Sequence, residues 1–295
     1  MDRLHEGMRN LGIMGDLYEI AGHLFRVSGA RLCEAVRRIG GFSVFAVADG
    51  EPSFSFISGG SAPVMDNLQY SFRYEDVDGR FGRFSDGYML ALVPDSEDPF
   101  FMWCHDGGTV VHLDGNWSMR LYRFALWVGF GLMTLPHDTV AIHSSCIVHD
   151  GKAVLFLGES GTGKSTHTRL WRKYIDGAFL LNDDSPVLRF EDGRIWAYGS
   201  PWSGKTPCYK AERYELAACV RLSQAPSNQM RRLPVLNAYG AIHPSCPPEF
   251  AYDERLYDHV SSFIGKLLSR VPFYHLACLP DEAAARLSFN TVFGK

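Results

Sequence analysis

The sequence has no run of 18 or more apolar residues, and the nearest candidate, residues 124–135, is too short to cross a bilayer. Asp2, Arg3, His5, Glu6 and Arg9 are not followed by an apolar stretch of the kind a secretory signal needs, so no signal peptide is expected. A strong charge of one sign is also missing. Lys plus Arg is 29 and Asp plus Glu is 33, a net charge of -4, which gives neither nucleic acid nor an anionic membrane an electrostatic reason to bind. The cysteines, Cys33, Cys104, Cys146, Cys208, Cys219, Cys246 and Cys278, are odd in number, scattered, and nowhere spaced as C-x-x-C. That pattern excludes a disulfide framework or a zinc site as the organising device and fits a reducing, cytoplasmic compartment. Repeats and low-complexity segments are lacking too.

What is present is ordinary globular material. The chain has 295 residues, 46% of them hydrophobic and 21% charged, enough for a substantial core and for two domains. Residues 1–118 read as β-rich. Short aromatic and β-branched runs at 24–27, 70–74, 88–93 and 109–113 alternate with Asp49-Gly50, Asp78-Gly79, Asp86-Gly87, Asp106-Gly107 and Asp114-Gly115. Asp-Gly between apolar runs marks a hairpin, because both turn residues tolerate positive φ. Residues 31–38 form a candidate short helix. From residue 119 the pattern turns to mixed α/β. The spacing of Leu121, Phe124, Ala125, Val128 and Leu132 predicts a helix over 119–133, and that of Leu256, Val260, Phe263, Ile264, Leu267 and Leu268 predicts another over 252–270. The domain boundary is placed near residue 118, with residues 119–295 as the second domain.

The second domain holds the chemistry. Gly158-Glu159-Ser160-Gly161-Thr162-Gly163-Lys164-Ser165 fits G-x-x-x-x-G-K-[ST], preceded by a buried-type strand at 153–157 and followed by a helix at 165–174. Glycines let backbone N–H groups curl around a phosphate chain, the lysine reaches the β- and γ-phosphates, and the serine hydroxyl ligates Mg²⁺. Thr166 extends the nucleotide-binding set. Downstream, the apolar run 178–181 leads into Asn182-Asp183-Asp184, where a Mg²⁺-holding carboxylate is expected. Adjacent strand residues point to opposite faces, so the pair can serve two roles: metal ligand and base.

A hairpin places a third group. If Asp150-Gly151 is a two-residue turn, His149 pairs with Lys152, paired residue numbers sum to 301, and His143 falls opposite Gly158. The strand feeding the loop then has an antiparallel neighbour, so the sheet is mixed rather than doubly wound and parallel. Of the remaining motifs, Pro201-Trp202-Ser203-Gly204-Lys205-Thr206-Pro207 follows a second hairpin turning at Asp192-Gly193. It reads equally as a packing loop or as one that offers Lys205 and Trp202 as candidate substrate or phosphate contacts. Arg231-Arg232 reads as a solvated pair, and His167 and Trp171 as structural residues of the helix after the loop.

Together His143, the 158–165 loop and Asp183-Asp184 resemble the catalytic core of HPr kinase/phosphorylase and, more remotely, of ATP-dependent phosphoenolpyruvate carboxykinase. Downstream, Tyr198-Gly199-Ser200-Pro201-Trp202-Ser203-Gly204-Lys205 stands where that family has Glu followed by Arg-Gly-Leu-Gly. The chain looks similar instead to the divergent HPr-kinase-like group, which includes kinases of peptide precursors in lasso-peptide pathways. The resemblance implies an α/β, phosphoenolpyruvate carboxykinase-like P-loop kinase core behind a β-rich N-terminal domain. It also implies ATP and Mg²⁺ as cofactors, and as partner a hydroxyl-bearing protein, peptide or small-molecule acceptor, and it leaves a homo-oligomer open. By resemblance Lys164 and Ser165 bind phosphate and metal, Asp184 ligates magnesium, and Asp183 is the base, with His143 beside it. The rival class is a nucleotide-binding regulatory protein that hydrolyses slowly or not at all, which needs no second carboxylate and no imidazole at the γ-phosphate.

Overall fold

The computed structural model describes residues 15–115, 118–204 and 206–294. It is an α/β chain with two mixed sheets and, among the described residues, six α-helices. It divides into two compact units, one holding the residues up to Thr134 with Glu249–Glu254, the other Leu135–Pro248 with Arg255–Lys295. The boundary expected near 118 precedes the helix Met119–Thr134, whereas the compact division follows it. No described helix is long and apolar enough to cross a membrane.

In the first unit, β1 (Asp16–Ile20), β2 (His23–Ser28), β3 (Ala46–Val47), β4 (Phe54–Ser58), β5 (Asn67–Tyr74), β6 (Val77–Phe84), β7 (Gly87–Pro94), β8 (Phe100–His105) and β9 (Val110–Gly115) form one sheet in the order 3-1-2-4-9-8-7-6-5. Pairing is antiparallel except for β2–β4 and β4–β9. Helix α1 (Ala30–Arg38) follows β2, and α2 (Met119–Thr134) brings Phe130 against Phe25 and Phe54.

Of the five expected Asp-Gly hairpins, Asp106-Gly107 does lie in the β8–β9 turn, whereas Asp49-Gly50 links β3 to β4, which do not pair with each other, Asp114-Gly115 ends β9, and the other two turns lie elsewhere. Asp78-Gly79 is inside β6, and the chain reverses at Glu75-Asp76, with Glu75 at φ 53°. Gly79 is the cross-strand partner of Phe72, whose ring occupies the space a Cβ would need, 2.0 Å from Cζ. Val77 and Phe81, two residues to either side of Gly79 and on the same face of β6, are buried, so the strand runs straight through the dipeptide. Likewise the chain turns at Ser85-Asp86, and Gly87 opens β7.

The second unit contains β10 (Thr139–Ala141), β11 (Ser144–His149), β12 (Lys152–Leu157), β13 (Phe179–Asp184), β14 (Val187–Glu191), β15 (Arg194–Tyr198), β16 (Arg213–Gln224), β17 (Gln229–Arg232) and β18 (Phe273–Cys278). The order is 10-14-15-16-12-11-13, with β18 on β16 and β17 on β18. Its helices are α3 (Lys164–Tyr174), α4 (Val235–Ile242), α5 (Glu254–Leu268, starting one residue before this unit) and α6 (Glu282–Phe293). Residues 153–157 are wholly buried, as a strand covered on both faces requires. Ile147, Val154, Phe156, Val220 and Leu276 meet Trp171 of α3 and Ala285 of α6 in one core.

Strand direction explains where the site forms. β11 runs antiparallel to both β12 and β13, so those two end at the edge where β11 begins. β16 is parallel to β12, and β18 to β16. The carboxyl ends of four strands thus gather at one edge, the usual place for a ligand in such sheets.

Candidate active site

The hairpin register is the expected one. Asp150 and Gly151 have φ 50° and 70°, His149 pairs with Lys152, and Ser145 pairs with Phe156. His143 stands one residue before β11, where the chain bends: its N–H donates to the Ser245 carbonyl at 2.7 Å.

The 158–165 loop joins β12 to α3. Gly158, Gly161 and Gly163 have φ 151°, 82° and 108°, a region that L side chains rarely enter. Gly161 and Gly163 face open space where a Cβ would stand. Thr162 holds the loop together, its N–H and its hydroxyl both donating to the Glu159 carbonyl, at 3.2 and 2.5 Å. Gly163 is the N-cap of α3 and offers no side chain to the first turn, so the leading N–H groups of the helix have no acceptor within it. Glu159, Ser160 and Ser165 are exposed, while Thr166 is half-buried.

Lys164 is buried and folded back over the loop. Its Nζ donates to the carbonyls of Gly158 and Glu159 at 2.7 and 3.3 Å. Burial holds its pKa below the ordinary lysine range, against the pull of Asp184 and Asp183. The same Nζ lies 3.1 Å from His143 Nε2, and His143 Nδ1 lies 3.3 Å from Asp184 Oδ1. With the ammonium as donor, Nε2 must accept, which leaves the imidazole proton on Nδ1, on the side of Asp184. Lys164, His143 and Asp184 therefore form one polar chain.

Asp183 is held separately. It is buried, and its Oδ1 accepts from Ser145 Oγ at 2.6 Å. The pairing expected from the resemblance, His143 beside Asp183, is replaced by His143 beside Asp184. The register shift between Cys146 and Ile147 sets Ser145 opposite Asp183, and His143, at the bend before β11, stands outside the ladder.

Asn182 completes the support. Its Oδ1 accepts from the N–H groups of Asp184 and Ser185 at 2.9 and 2.8 Å, and its Nδ2 donates to the carbonyls of Ser200 and Trp202 at 3.3 and 3.2 Å. One buried amide thus fixes the backbone of the acidic pair and ties the 199–204 segment to it. Gly204 sits tight against that pair, with the place of a Cβ 2.7 Å from the Asp183 carbonyl. Trp202 is only 3% exposed, a position that packs the segment rather than one that presents an indole to a substrate. Lys205 lies outside the described residues.

His167 and Trp171 are structural, both bonded to Ser288 Oγ, and burial pushes the His167 pKa down to about 4. Arg231 and Arg232 are exposed. Sequence reasoning missed Ser145, Asn182 and Arg221. For the first two no local signal existed. Arg221 had one: it is a lone charge in the apolar run 216–222.

No family model matches the chain, and no curated relative does. Among solved structures, the Hpr(Ser) kinase/phosphatase from Coxiella burnetii matches at 13% identity and a TM-score of 0.30, covering 52% of this chain and 93% of that one.

Proposed function

We propose that the second unit transfers the γ-phosphoryl group of Mg²⁺-bound ATP to a hydroxyl acceptor, a serine of a protein or peptide or a small-molecule alcohol. One observation carries this reading: the lysine of a glycine loop set between strand and helix meets, through a single imidazole, one of two adjacent carboxylates. A loop that only cradled phosphates would need the lysine and one carboxylate. The second, buried carboxylate on its own serine clamp suits an acceptor hydroxyl.

In this reading the loop N–H groups and Lys164 bind the phosphates, and Asp183 receives the hydroxyl proton. Ser145 fixes the orientation of that carboxylate, so that it gains from position more than from basicity. His143 holds Lys164 and Asp184 in register. The Ser165 hydroxyl and the Asp184 carboxylate are hard oxygen donors, the set Mg²⁺ prefers when phosphate oxygens and water complete its shell. When bound, the ion would offset charge on the transferring group.

The test is incubation of the purified chain with γ-labelled ATP and fractionated lysate, with Lys164→Ala in parallel. Label should appear in one protein or metabolite fraction with the wild type only. Failure of the wild type to bind Mg-ATP, or equal labelling by the variant, would remove the proposal.

A further inference from the structure

One cation at this edge is unused in the reading above. β16 is the parallel neighbour of β12, and Arg221 stands opposite Leu157, the residue that leads into the 158–165 loop. Its guanidinium Nη2 lies 3.6 Å from Glu159 Oε1, and its Nη1 is 3.5 Å from the Ala241 carbonyl at the end of α4. Arg221 is close enough to Lys164 for its charge to add to the burial that lowers the lysine's pKa. Three residues on, Gln224 Nε2 donates to the Gly161 carbonyl at 3.3 Å, so β16 touches the loop at two points.

We propose that Arg221 is a second phosphate-binding cation of this site, with Glu159 as the resting counter-ion that the phosphates of the nucleotide displace. The proposal rests on the nucleotide-binding reading and extends it to a residue outside the loop motif. The Glu159 side chain is 86% exposed and that of Arg221 28%, so water screens their pairing and it breaks at little cost. A polyphosphate is the stronger partner, because a planar guanidinium grips two oxygens at once. The two cations are complementary. Lys164 is a point charge held inside the loop, whereas the guanidinium of Arg221 is a planar fork on the neighbouring strand.

The experiment is calorimetric titration of the full chain with Mg-ATP at low and moderate salt, comparing wild type, Arg221→Ala, Arg221→Lys, Glu159→Gln and Lys164→Ala. Arg221→Ala should bind about 10- to 100-fold more weakly, the loss expected for a charged hydrogen-bond partner, and Arg221→Lys should recover part of it. Glu159→Gln should bind about two- to fivefold more tightly at low salt, a gain that shrinks as salt rises. Wild-type affinity in Arg221→Ala and in Glu159→Gln at low salt, with Lys164→Ala inactive in binding, overturns the role of Arg221 and leaves the nucleotide reading intact. A wild type that binds no Mg-ATP overturns both. Should Arg221→Ala fail to fold in a melting measurement, the Arg221→Lys and Glu159→Gln titrations decide alone.

Discussion

Each unit contains a strand that ends at glycine and passes into a helix, and the two connections differ in what the glycine is for. In the first unit β2 runs through Gly29, at φ 101°, straight into α1. In the second, β12 runs through the longer 158–163 connection into α3, whose N-cap Gly163 has φ 108°. Neither helix has a side-chain cap. At Gly29 the place of a Cβ is 2.1 Å from Ser58 Oγ, so the missing side chain lets two strands close on each other. At Gly161 and Gly163 nothing lies within 4 Å, so the missing side chains leave a cradle open. Positive φ alone does not separate a packing glycine from one beside open space; the surroundings of the missing Cβ do.

The largest expected effect concerns the carboxylate that only the second unit places beside its cradle. Asp183→Asn should lower phosphoryl-transfer turnover by about 10²–10⁴-fold while Mg-ATP affinity stays near wild type, as removal of a positioned base does. A turnover assay beside a binding titration checks this, and normal turnover would strip Asp183 of its role. Next, Lys164→Ala should weaken Mg-ATP binding by about 100-fold or more, since it removes a charged donor from the cradle. Its circular dichroism spectrum should remain that of the wild type.

The glycines sharpen the contrast directly. Gly29→Ala should destabilise the protein by about 2–4 kcal/mol, from strain at positive φ plus overlap with Ser58. Mg-ATP affinity of the folded variant should be unchanged. Gly161→Ala should cost about 1–2 kcal/mol from backbone strain alone. It should weaken nucleotide binding more than its stability loss implies. If Gly161→Ala bound like wild type, the open cradle would have no functional meaning.

A pH-dependent effect separates the acids of the two units. Glu249 of the first unit is buried, its Oε2 has no hydrogen-bond partner, and desolvation pushes its pKa up to about 7. The folded state therefore favours the protonated form. Stability from this group is fully present below the usual glutamate range, near pH 4.5, and is lost as pH rises through about 7. The loss amounts to about 3 kcal/mol. Glu249→Gln should flatten that part of the stability-versus-pH curve in denaturant melts, and an unchanged slope would contradict it. Smallest of all, a double-mutant cycle should couple His143 to Asp184 by about 1 kcal/mol in Mg-ATP binding and leave His143 and Asp183 nearly additive.

Local chemistry made much of this site legible without coordinates. Asp150-Gly151 takes positive φ at both residues, so the hairpin register follows from two amino acids, and with it the approach of His143 to the loop. The glycine spacing, the apolar strand before it and the amphipathic pattern of α3 and α5 are equally local. Asp78-Gly79 shows where such reasoning stops: the same dipeptide sits mid-strand because Phe72 of the neighbouring strand needs the space.

By itself, then, the sequence determined the turns whose residues tolerate positive φ, the helices whose apolar stripe repeats, and the motif residues Lys164, Asp183 and Asp184. Tertiary structure alone decided which strands are neighbours: β11 between β12 and β13, and β16 beside β12, which brings Arg221 to the loop. It also decided which carboxylate meets which partner. Strand alternation specifies faces only up to a one-residue shift, and the irregularity between Cys146 and Ile147 makes that shift, setting Asp183 opposite Ser145. The bend at His143, held by the distant Ser245 carbonyl, turns the imidazole to Asp184. Pairings across long sequence separations depend on how whole faces pack, and no short stretch of sequence encodes them.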